Sequence, residues 1–388
     1  MSHEAGVPKG VRFNRRDLLA SAALTVPAAL APRGLSAQQR RPAADRIRVG
    51  IVGAGGIVGS RHIPGLRRMP NVEIVAVANR SLESSQRAAA EFGIPRAYAS
   101  WEELIAADEI DAVLIGTWPY MHKPITQAAL QSGRHVLCQA RMAMNAAEAR
   151  EMLAASQRHP DLVCMLVPSS SGYSIDRAML GLINGDLLGE ILSVDVHRLQ
   201  RGFASFDGEL DWRHNPEFSG INVLNVGAIY ELMMRWLGPG NRVMAKTRVH
   251  IPTRRTEEGL QVSATIPDHV EVLYELTNGA PVHMVFSETT GLSRGNDLWI
   301  FGSEGTLRVD NANNIFVARR GDRELAAYPN PPEGQYQHRV EEEFINAIRG
   351  VEPVSMNTFQ IGVDYMEWTE AIYSSAESGS SVSLPLGA

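Results

Sequence analysis

Cysteine is scarce in this chain of 388 residues, which contains only Cys138 and Cys164. Two thiols in separate apolar segments cannot form a disulfide framework, and no cysteine or histidine spacing typical of a metal site is present. We therefore expect buried structural thiols and predict no metal. Positive charge is not in excess either, since the net charge is −6. Without a basic stripe, no nucleic-acid partner is predicted.

A long hydrophobic run is also missing. The apolar stretch at residues 20–31 is shorter than the roughly 20 residues that cross a bilayer. Arg15 and Arg16 precede it, as in a twin-arginine export signal. We interpret residues 1–37 as such a signal and predict a periplasmic or otherwise exported protein that does not contact the membrane after signal removal. The alternative is a disordered basic arm.

Beyond residue 45, short apolar strands alternate with helices of about ten residues. Strand-like runs at residues 47–52 and 72–78 are separated by a glycine-rich turn, and a helix is predicted at residues 82–92. Further strands are predicted at residues 111–116, 134–138 and 162–167. Because parallel βαβ units follow this pattern, residues 45–168 are predicted to form a dinucleotide-binding Rossmann domain.

The pattern changes after Ser169. Alternating strand runs at residues 270–276 and 282–288 are joined through Asn278-Gly279, a sequence typical of a tight hairpin. We predict that residues 169–388 form an α+β domain with a largely antiparallel open sheet, which makes the chain α/β overall. The last helix is expected to pack on the Rossmann domain.

A Gly-x-Gly turn follows the first predicted strand. Such a turn lets the backbone approach a pyrophosphate, while the next helix offers unpaired N–H groups. We predict that Gly53, Gly55, Gly56 and Ile57 bind the nucleotide.

The end of the second strand predicts the choice of cofactor. An acidic residue there would bind the ribose 2′-hydroxyl of NAD, but the chain has Asn79, Arg80 and Ser81. A guanidinium and a hydroxyl suit a 2′-phosphate, so we predict NADP, with NAD as the alternative. Arg80 can instead stack on the adenine and accept both.

Several segments occur in the order and spacing of one enzyme family. They are residues 53–57, 110–122, 133–144, 187–191, 211–220 and 301–310. Through them, residues 46–385 resemble the glucose-fructose oxidoreductase / inositol dehydrogenase (Gfo/Idh/MocA) family. The resemblance implies hydride transfer between NAD(P) and a small carbohydrate-like substrate. It also implies a C-terminal domain that binds substrate and mediates homo-oligomers.

The resemblance further implies cofactor contacts. The family's T-P-N-x-x-H turn corresponds to residues 117–122, where Thr117, Trp118 and His122 are expected beside the cofactor. Gln139 occupies the first position of the family's Glu-Lys-Pro segment and is expected there as well.

The family's catalytic positions are replaced in this chain. Its lysine corresponds to Ala140, and its aspartate and histidine correspond to Asn225 and Ile229. Neither Asn225 nor Ile229 accepts a proton at neutral pH. Arg141, one place after Ala140, is a fixed cation. We expect Arg141 and Asn225 to hold the substrate oxygen.

Other side chains are candidates for the proton transfer, namely Tyr173, His122 and His214. Trp118 and Trp212 can stack on a sugar ring or pack in the core. Two alternative functions stay open: a redox-neutral sugar-converting enzyme that keeps its nucleotide bound, and a non-catalytic nucleotide- or sugar-binding protein.

Overall fold

A computed structural model describes residues 46–169, 173–330, 339–355 and 357–387. The predicted export signal at residues 1–37 lies outside the described residues and stays a prediction. Within the described ranges, no helix has both the length and the apolarity needed to cross a membrane.

Six short strands form one parallel sheet in the first half of the chain. They are β1 (Ile47–Val52), β2 (Val72–Ala78), β3 (Arg96–Tyr98), β4 (Ala112–Ile115), β5 (His135–Cys138) and β6 (Cys164–Leu166). Their order in space is β3-β2-β1-β4-β5-β6. The order of the strands reverses at β1 and β4, since the chain extends the sheet from β1 to β3 on one side and from β4 to β6 on the other. This reversal opens a crevice at the carboxyl ends of β1 and β4.

Helices connect the parallel strands. They are α1 (Ile63–Arg67), α2 (Leu82–Phe92), α3 (Trp101–Ala106), α4 (His122–Gln131) and α5 (Ala146–Arg158). A π-helical turn, Val58–His62, precedes α1, and a 3-10 turn, Pro119–Met121, precedes α4. Ser81, Ser100 and Asn145 begin α2, α3 and α5, and each accepts a backbone N–H with its side chain. These caps fix where the three helices start.

The second sheet has nine strands in the order β16-β15-β14-β13-β7-β12-β11-β8-β17. They are β7 (Ile191–Leu199), β8 (Gly240–Arg248), β11 (His269–Leu276), β12 (Pro281–Ser287), β13 (Asn296–Gly302), β14 (Gly305–Val309), β15 (Ile315–Arg319), β16 (Ala326–Tyr328) and β17 (Val382–Ser383). A separate ribbon pairs β9 (Thr253–Arg255) with β10 (Gln261–Ser263). Among the described strands of the large sheet, β7 and β12 pair in parallel and all other neighbours antiparallel. The predicted combination of a Rossmann sheet and a largely antiparallel sheet is confirmed.

Helices cover one face of the large sheet. The helices of this half are α6 (Asp176–Asn184), α7 (Pro216–Ser219), α8 (Val226–Leu237), α9 (Val340–Ile348) and α10 (Phe359–Ser378). Tyr230 of α8 stacks on Trp368 of α10 with ring centroids 4.2 Å apart, and Tyr274 of β11 meets both rings edge-on. This aromatic cluster joins the two helices to the sheet.

The last two helices also contact the parallel sheet and its helices. Phe344 and Ile345 of α9 are buried in the cluster that contains the apolar residues of β1. Glu367 of α10 forms an ion pair with Arg150 of α5 at 2.8 Å. The Met142 N–H donates to the Tyr365 hydroxyl of α10 at 2.6 Å. These contacts fix the segment after β5, which reaches the crevice.

Candidate active site

A cavity of about 620 Å³ lies at the crevice formed by the carboxyl ends of the parallel strands. Its walls come from the glycine-rich turn, from the ends of β4, β5 and β6, and from residues 212–228. The lining includes Gly55, Gly56, Ile57, Arg61, Thr117, Trp118, Gln139, Ala140, Arg141, Ser169, Trp212, Arg213, Asn222, Asn225 and Ala228. The lining side chains that are permanently charged at neutral pH are all arginines, so this cavity favours an anionic ligand.

The glycine-rich turn fits a dinucleotide. Gly53 has a φ of +88°, and an added Cβ there would lie 2.8 Å from the Thr117 nitrogen, so a side chain is excluded. At Gly55 and Gly56, an added Cβ would meet no described atom within 4 Å. Their backbone therefore faces open space in the cavity, where a pyrophosphate would be held. Thr117 lines the same space, and its buried hydroxyl has no hydrogen-bond partner among the described residues.

The usual third glycine of this motif is replaced by Val58, and Gly59 follows. Val58 is buried, and an added Cβ at Gly116 would lie 2.3 Å from its side chain. At Gly59, an added Cβ would lie 2.6 Å from the Phe92 ring. Gly59 thus permits the close approach of α2, although it comes one residue later than the motif places it.

The three residues at the end of β2 have different positions. The Asn79 amide oxygen accepts from the Ala54 N–H at 2.8 Å, so Asn79 holds the glycine-rich turn in place. Ser81 caps α2 by accepting from the Ser84 N–H. Arg80 is exposed and has no ion pair with a described residue. Of these three side chains, that of Arg80 is the one with no hydrogen bond to a described residue.

His122 is buried away from the cavity. One ring nitrogen, Nδ1, lies 3.0 Å from the Arg141 carbonyl oxygen, and the other, Nε2, lies 3.0 Å from the Thr117 carbonyl oxygen. Burial lowers the pKa of His122, although the carbonyls act in the opposite direction. The prediction that His122 transfers the proton is therefore corrected. It ties the loop after β4 to the loop after β5 and so positions Thr117 and Arg141.

Gln139 contacts a residue to which the sequence analysis gave no function. The Gln139 amide donates to Nε2 of His62, and Nδ1 of His62 contacts the Glu341 carboxylate of α9. His62 and Glu341 are both buried. His62 lies nine residues after Gly53, on the buried side of the helix that follows the turn. A polar residue on an otherwise apolar helix face is the feature of the sequence that could have indicated its role. Glu341 gave no such signal, because it is 279 residues away in sequence.

Arg141 and Asn225 meet in the cavity. Nη2 of Arg141 donates to the Asn225 amide oxygen at 3.3 Å and lies 3.5 Å from the Leu224 carbonyl oxygen. Burial lowers the pKa of Arg141, while Tyr365 and Glu231 raise it. A guanidinium nevertheless stays protonated in proteins. The site therefore has a permanent cation beside an amide.

The family's other two catalytic positions also face the two cavities described here. Ala140 lines the large cavity, whereas Ile229 lines a second cavity of about 360 Å³ that shares Arg213, Leu224 and Asn225 with the first. Neither side chain can transfer a proton. Glu231, two residues after Ile229, is buried, and its carboxylate accepts from the Ser169 N–H at 2.9 Å. It supports the cavity wall.

His214 borders the second cavity and is held between two carboxylates. Its Nδ1 lies 2.7 Å from Asp211 and its Nε2 lies 2.9 Å from Glu288. Burial alone would lower the pKa of His214, but these hydrogen bonds outweigh it and raise the pKa to about 9. The hydrogen bond from His214 lowers the pKa of Asp211 to about 2. His214 is thus a cation with both ring nitrogens engaged at neutral pH, and the prediction that it acts as the base is corrected.

Aromatic residues form the rim of the large cavity. Trp118 and Trp212 stack on each other, with centroids 5.8 Å apart and planes 11° from parallel. Phe218 packs against Trp118 at 4.9 Å, and the Arg213 guanidinium lies 4.4 Å from the centre of the Trp212 ring. The two tryptophans therefore contact each other and leave no slot between them for a sugar ring.

Tyr173 begins a 3-10 turn, Tyr173–Ile175, shortly after β6. Its side chain lies outside the described part of the structure, so its role as a proton acceptor stays a prediction.

The sequence matches two family models. Residues 47–166 match the oxidoreductase family with an NAD-binding Rossmann fold, GFO_IDH_MocA, and residues 177–308 match a GFO/IDH/MocA C-terminal domain. The chain is 30% identical to trans-1,2-dihydrobenzene-1,2-diol dehydrogenase of Sus scrofa over 68% of this chain and 74% of that protein. It is 29% identical to dTDP-3,4-didehydro-2,6-dideoxy-alpha-D-glucose 3-reductase of Streptomyces antibioticus over 78% of this chain and 89% of that protein.

The fold is also similar to solved structures. Levoglucosan dehydrogenase in complex with NADH and L-sorbose superposes with a TM-score of 0.77 at 22% identity, covering 88% of this chain and 99% of the other. That identity supports a shared fold alone. The matches along both halves of the sequence, together with the glycine-rich turn at the mouth of the cavity, show that the chain belongs to the GFO/IDH/MocA family of NAD(P)-binding oxidoreductases.

Proposed function

We propose that this protein is an exported oxidoreductase that uses NADP to interconvert an alcohol and a carbonyl group on a sugar- or polyol-like substrate. The observation that carries the proposal is the pair of Arg141 and Asn225, 3.3 Å apart. The pair lies in the same cavity as the open glycine-rich turn. In this family the usual lysine, aspartate and histidine would act there, so the chemistry rests on an altered set of residues.

The nucleotide would be held by groups from the parallel sheet. The backbone of Gly55 and Gly56 would receive the pyrophosphate, and the exposed Arg80 would pair with a 2′-phosphate. Thr117 and Trp118 line the part of the cavity next to Arg141. When bound, the nicotinamide supplies or accepts a hydride, which carries two electrons.

Arg141 and Asn225 would hold the reacting oxygen of the substrate. Oxidation of an alcohol removes a hydride from carbon and a proton from oxygen, and leaves a carbonyl. The Arg141 guanidinium stabilises the negative charge that develops on this oxygen as the proton leaves. Since His122 and His214 are engaged in other hydrogen bonds, the proton passes to water in the open cavity, either directly or through the Tyr173 hydroxyl, which would release its own proton to water as it accepts the new one.

The relatives support a hydroxylated substrate. They include a dehydrogenase of dihydrobenzene diols and a reductase of a dTDP-linked sugar. A protein of the same fold has been solved with NADH and L-sorbose. All three ligands carry oxygens on adjacent or nearby carbons of a small carbon skeleton.

Two further parts of the proposal concern the whole protein. Export rests on Arg15-Arg16 and the apolar stretch that follows them. Homo-oligomer formation rests on apolar side chains exposed on the large sheet, where Met244, Leu273 and Phe301 are 49%, 49% and 36% exposed. Exposed apolar groups on one sheet face are typical of an interface.

The experiment is to isolate the protein, identify its bound nucleotide by native mass spectrometry and absorbance, and measure hydride exchange with a panel of sugars and polyols. Arg141→Ala should lower turnover by roughly 10²-fold or more, because a preorganised charge that stabilises the reacting oxygen is lost. Tyr173→Phe tests the proton acceptor. The rebuilt variant Ala140→Lys, Asn225→Asp, Ile229→His should lose the native activity, because the new lysine would repel Arg141.

A non-catalytic binding protein is the second candidate, and one observation favours it. Among the described cavity residues, each histidine is engaged with other protein groups, so no unengaged acid or base faces Arg141. If Arg141→Ala and Tyr173→Phe leave hydride exchange unchanged, and the rebuilt variant also shows none, the oxidoreductase proposal fails and the binding function is preferred. NADP that stays bound through purification, with sugar-dependent exchange, would indicate the redox-neutral alternative.

A further inference from the structure

The second cavity contains a guanidinium that forms no ion pair with a described residue. Arg198 lies near the end of β7 and lines this cavity together with Phe286 and Asn296. The strand register explains the position, since Arg198 pairs with Phe286 of β12 on one side and with Asn296 of β13 on the other. Val194 and Val196 are fully buried, whereas the residues that alternate with them on the strand are only partly buried. By this parity, Arg198 points to the helix-covered face of the sheet.

Arg198 is mostly buried, and its side chain has no hydrogen-bond or ion-pair partner in the described part of the chain. Its Nε is buried without a hydrogen bond, and its guanidinium forms no ion pair with any described residue. Burial lowers the pKa of Arg198. Asp297 and Asp310 line a small recess together with Arg198, but neither forms an ion pair with it. Burying a charge without compensation is unfavourable. An arginine kept in such a position is typical of a site where a ligand supplies the missing anion.

The acidic residues near this cavity are neutralised by other cations. Glu288 accepts from the protonated His214 at 2.9 Å and lies 3.9 Å from Arg254. Asp297, adjacent to Asn296, is bonded to Arg308 at 2.9 Å. Arg213, which stacks on Trp212, lines both cavities and is also without a carboxylate partner among the described residues. Glu288 also lines the second cavity but is already paired with His214 and Arg254. The two lining arginines therefore have no carboxylate partner among the described residues.

We propose that the second cavity binds an anionic substituent of the substrate, a carboxylate or a phosphate, through Arg198 and Arg213. The inference rests on the proposed function, because the two cavities share Leu224, Asn225 and Arg213 and so can hold one molecule. The reacting hydroxyl or carbonyl would lie at Arg141 and the anion at Arg198. A volume of about 360 Å³ is enough for a monosaccharide-sized group. The substrate class is therefore a sugar or polyol acid, or a phosphorylated sugar.

The test measures binding to the NADPH-loaded protein by calorimetry at constant ionic strength. The probes are D-gluconate, D-glucose 6-phosphate and D-glucose, with malonate and inorganic phosphate as anions that carry no sugar. At least one anion should bind about tenfold or more tightly than D-glucose, and Arg198→Gln should weaken it by about 10- to 100-fold. Comparing the carboxylates with the phosphates identifies the anion. Arg242→Gln, an exposed arginine on β8, is the matched control and should leave binding unchanged.

Thermal unfolding of the protein without ligand gives an independent readout. Arg198→Gln should unfold at an equal or higher temperature than the wild type, because an uncompensated buried charge is removed. Arg198→Lys should keep part of the anion preference. If no anion binds better than D-glucose, or if Arg198→Gln retains the preference, the inference is overturned. If the wild type binds neither NADPH nor NADH, the proposed function fails instead, and binding of the anions can still be measured without nucleotide.

Discussion

The ion-paired His214 gives a prediction about stability and pH. His214 is hydrogen-bonded to both Asp211 and Glu288, and its pKa in the folded protein is about 9. In the unfolded chain a histidine titrates near pH 6.5. A group whose pKa is raised by folding stabilises the folded state fully below the unfolded pKa, and this stabilisation is lost as the pH rises through the folded pKa. The loss should therefore occur between about pH 6.5 and about pH 9.

The magnitude follows from the pKa difference and from the exposure of the partners. One pKa unit corresponds to about 1.36 kcal/mol, so a rise to about 9 corresponds to about 3 kcal/mol at most. The His214 side chain is 13% exposed, whereas the Asp211 side chain is 51% exposed and screened by solvent. We therefore expect the free energy of unfolding to fall by about 1–2 kcal/mol over this range.

The assay is urea unfolding of the wild type and of His214→Gln from about pH 6 to about pH 10. Subtracting one curve from the other removes the contribution of all other titrating groups. The difference should shrink steadily above pH 6.5 and level off beyond pH 9. His159→Gln, after the end of α5, is the matched control and should parallel the wild type. Parallel curves for the wild type and His214→Gln would show that the ion pairs do not stabilise the fold.

Two predictions concern the nucleotide. Gly55→Val should abolish nucleotide binding in fluorescence titrations and leave the fold intact, since a side chain there meets only the open cavity. Gly202→Val, at an exposed glycine, is the control. Undiminished nucleotide binding by Gly55→Val would refute the dinucleotide site. Arg80→Asp should shift the binding preference from NADP toward NAD by about 1–3 kcal/mol. Arg68→Asp is the control and should leave the preference unchanged. An unchanged ratio of the NADP and NAD dissociation constants in Arg80→Asp would show that Arg80 does not contact the 2′-phosphate.

Strong local signals made parts of the fold predictable. The bounds of β1, β2 and α2 coincide with those predicted from apolar runs and from the helix stop at Gly93. β1 is buried on both faces over nearly its whole length, and β2 over its last three residues, so their apolar runs are nearly continuous. Gly93 ends α2 in the left-handed conformation, with φ of 57°, which few other residues adopt without strain.

Other strands could not be predicted because their signal is weak. In β8 (Gly240–Arg248), polar and charged residues occupy most positions, and only Gly240 and Val243 are buried. Its place in the sheet is determined by pairing with β11 and by the packing of α10, both distant in sequence. β3 has three residues, none of them fully buried. Such strands depend on tertiary contacts more than on local preference.

The candidate site was also only partly predictable, because some of its contacts join residues that are distant in sequence. The sequence identified Asn225 as a candidate because it corresponds to the family's catalytic aspartate, and Arg141 because it is a cation one residue after the position of the family's lysine. The sequence could not show that the charge of His214 is paired with the carboxylate of Glu288, which is 74 residues away. Residue type alone made His122 and His214 suitable proton acceptors, but a histidine acts as a base only if one nitrogen is unprotonated and accessible.

The replacement of the family's catalytic lysine, aspartate and histidine leaves the site with a fixed positive charge that does not change with proton transfer. A lysine, an aspartate and a histidine can exchange protons, whereas Ala140, Asn225 and Ile229 cannot, and the charge of Arg141 is permanent. The connected cavities thus combine fixed cations at Arg61, Arg141, Arg198 and Arg213 with carboxylates that are already paired. A dinucleotide pyrophosphate offsets part of this charge at the glycine-rich turn, but Arg198 lies on the β-sheet side of the second cavity. A neutral sugar would leave Arg198 buried without an anion. The charge distribution therefore favours a substrate that brings its own negative group and positions its reacting oxygen at Arg141.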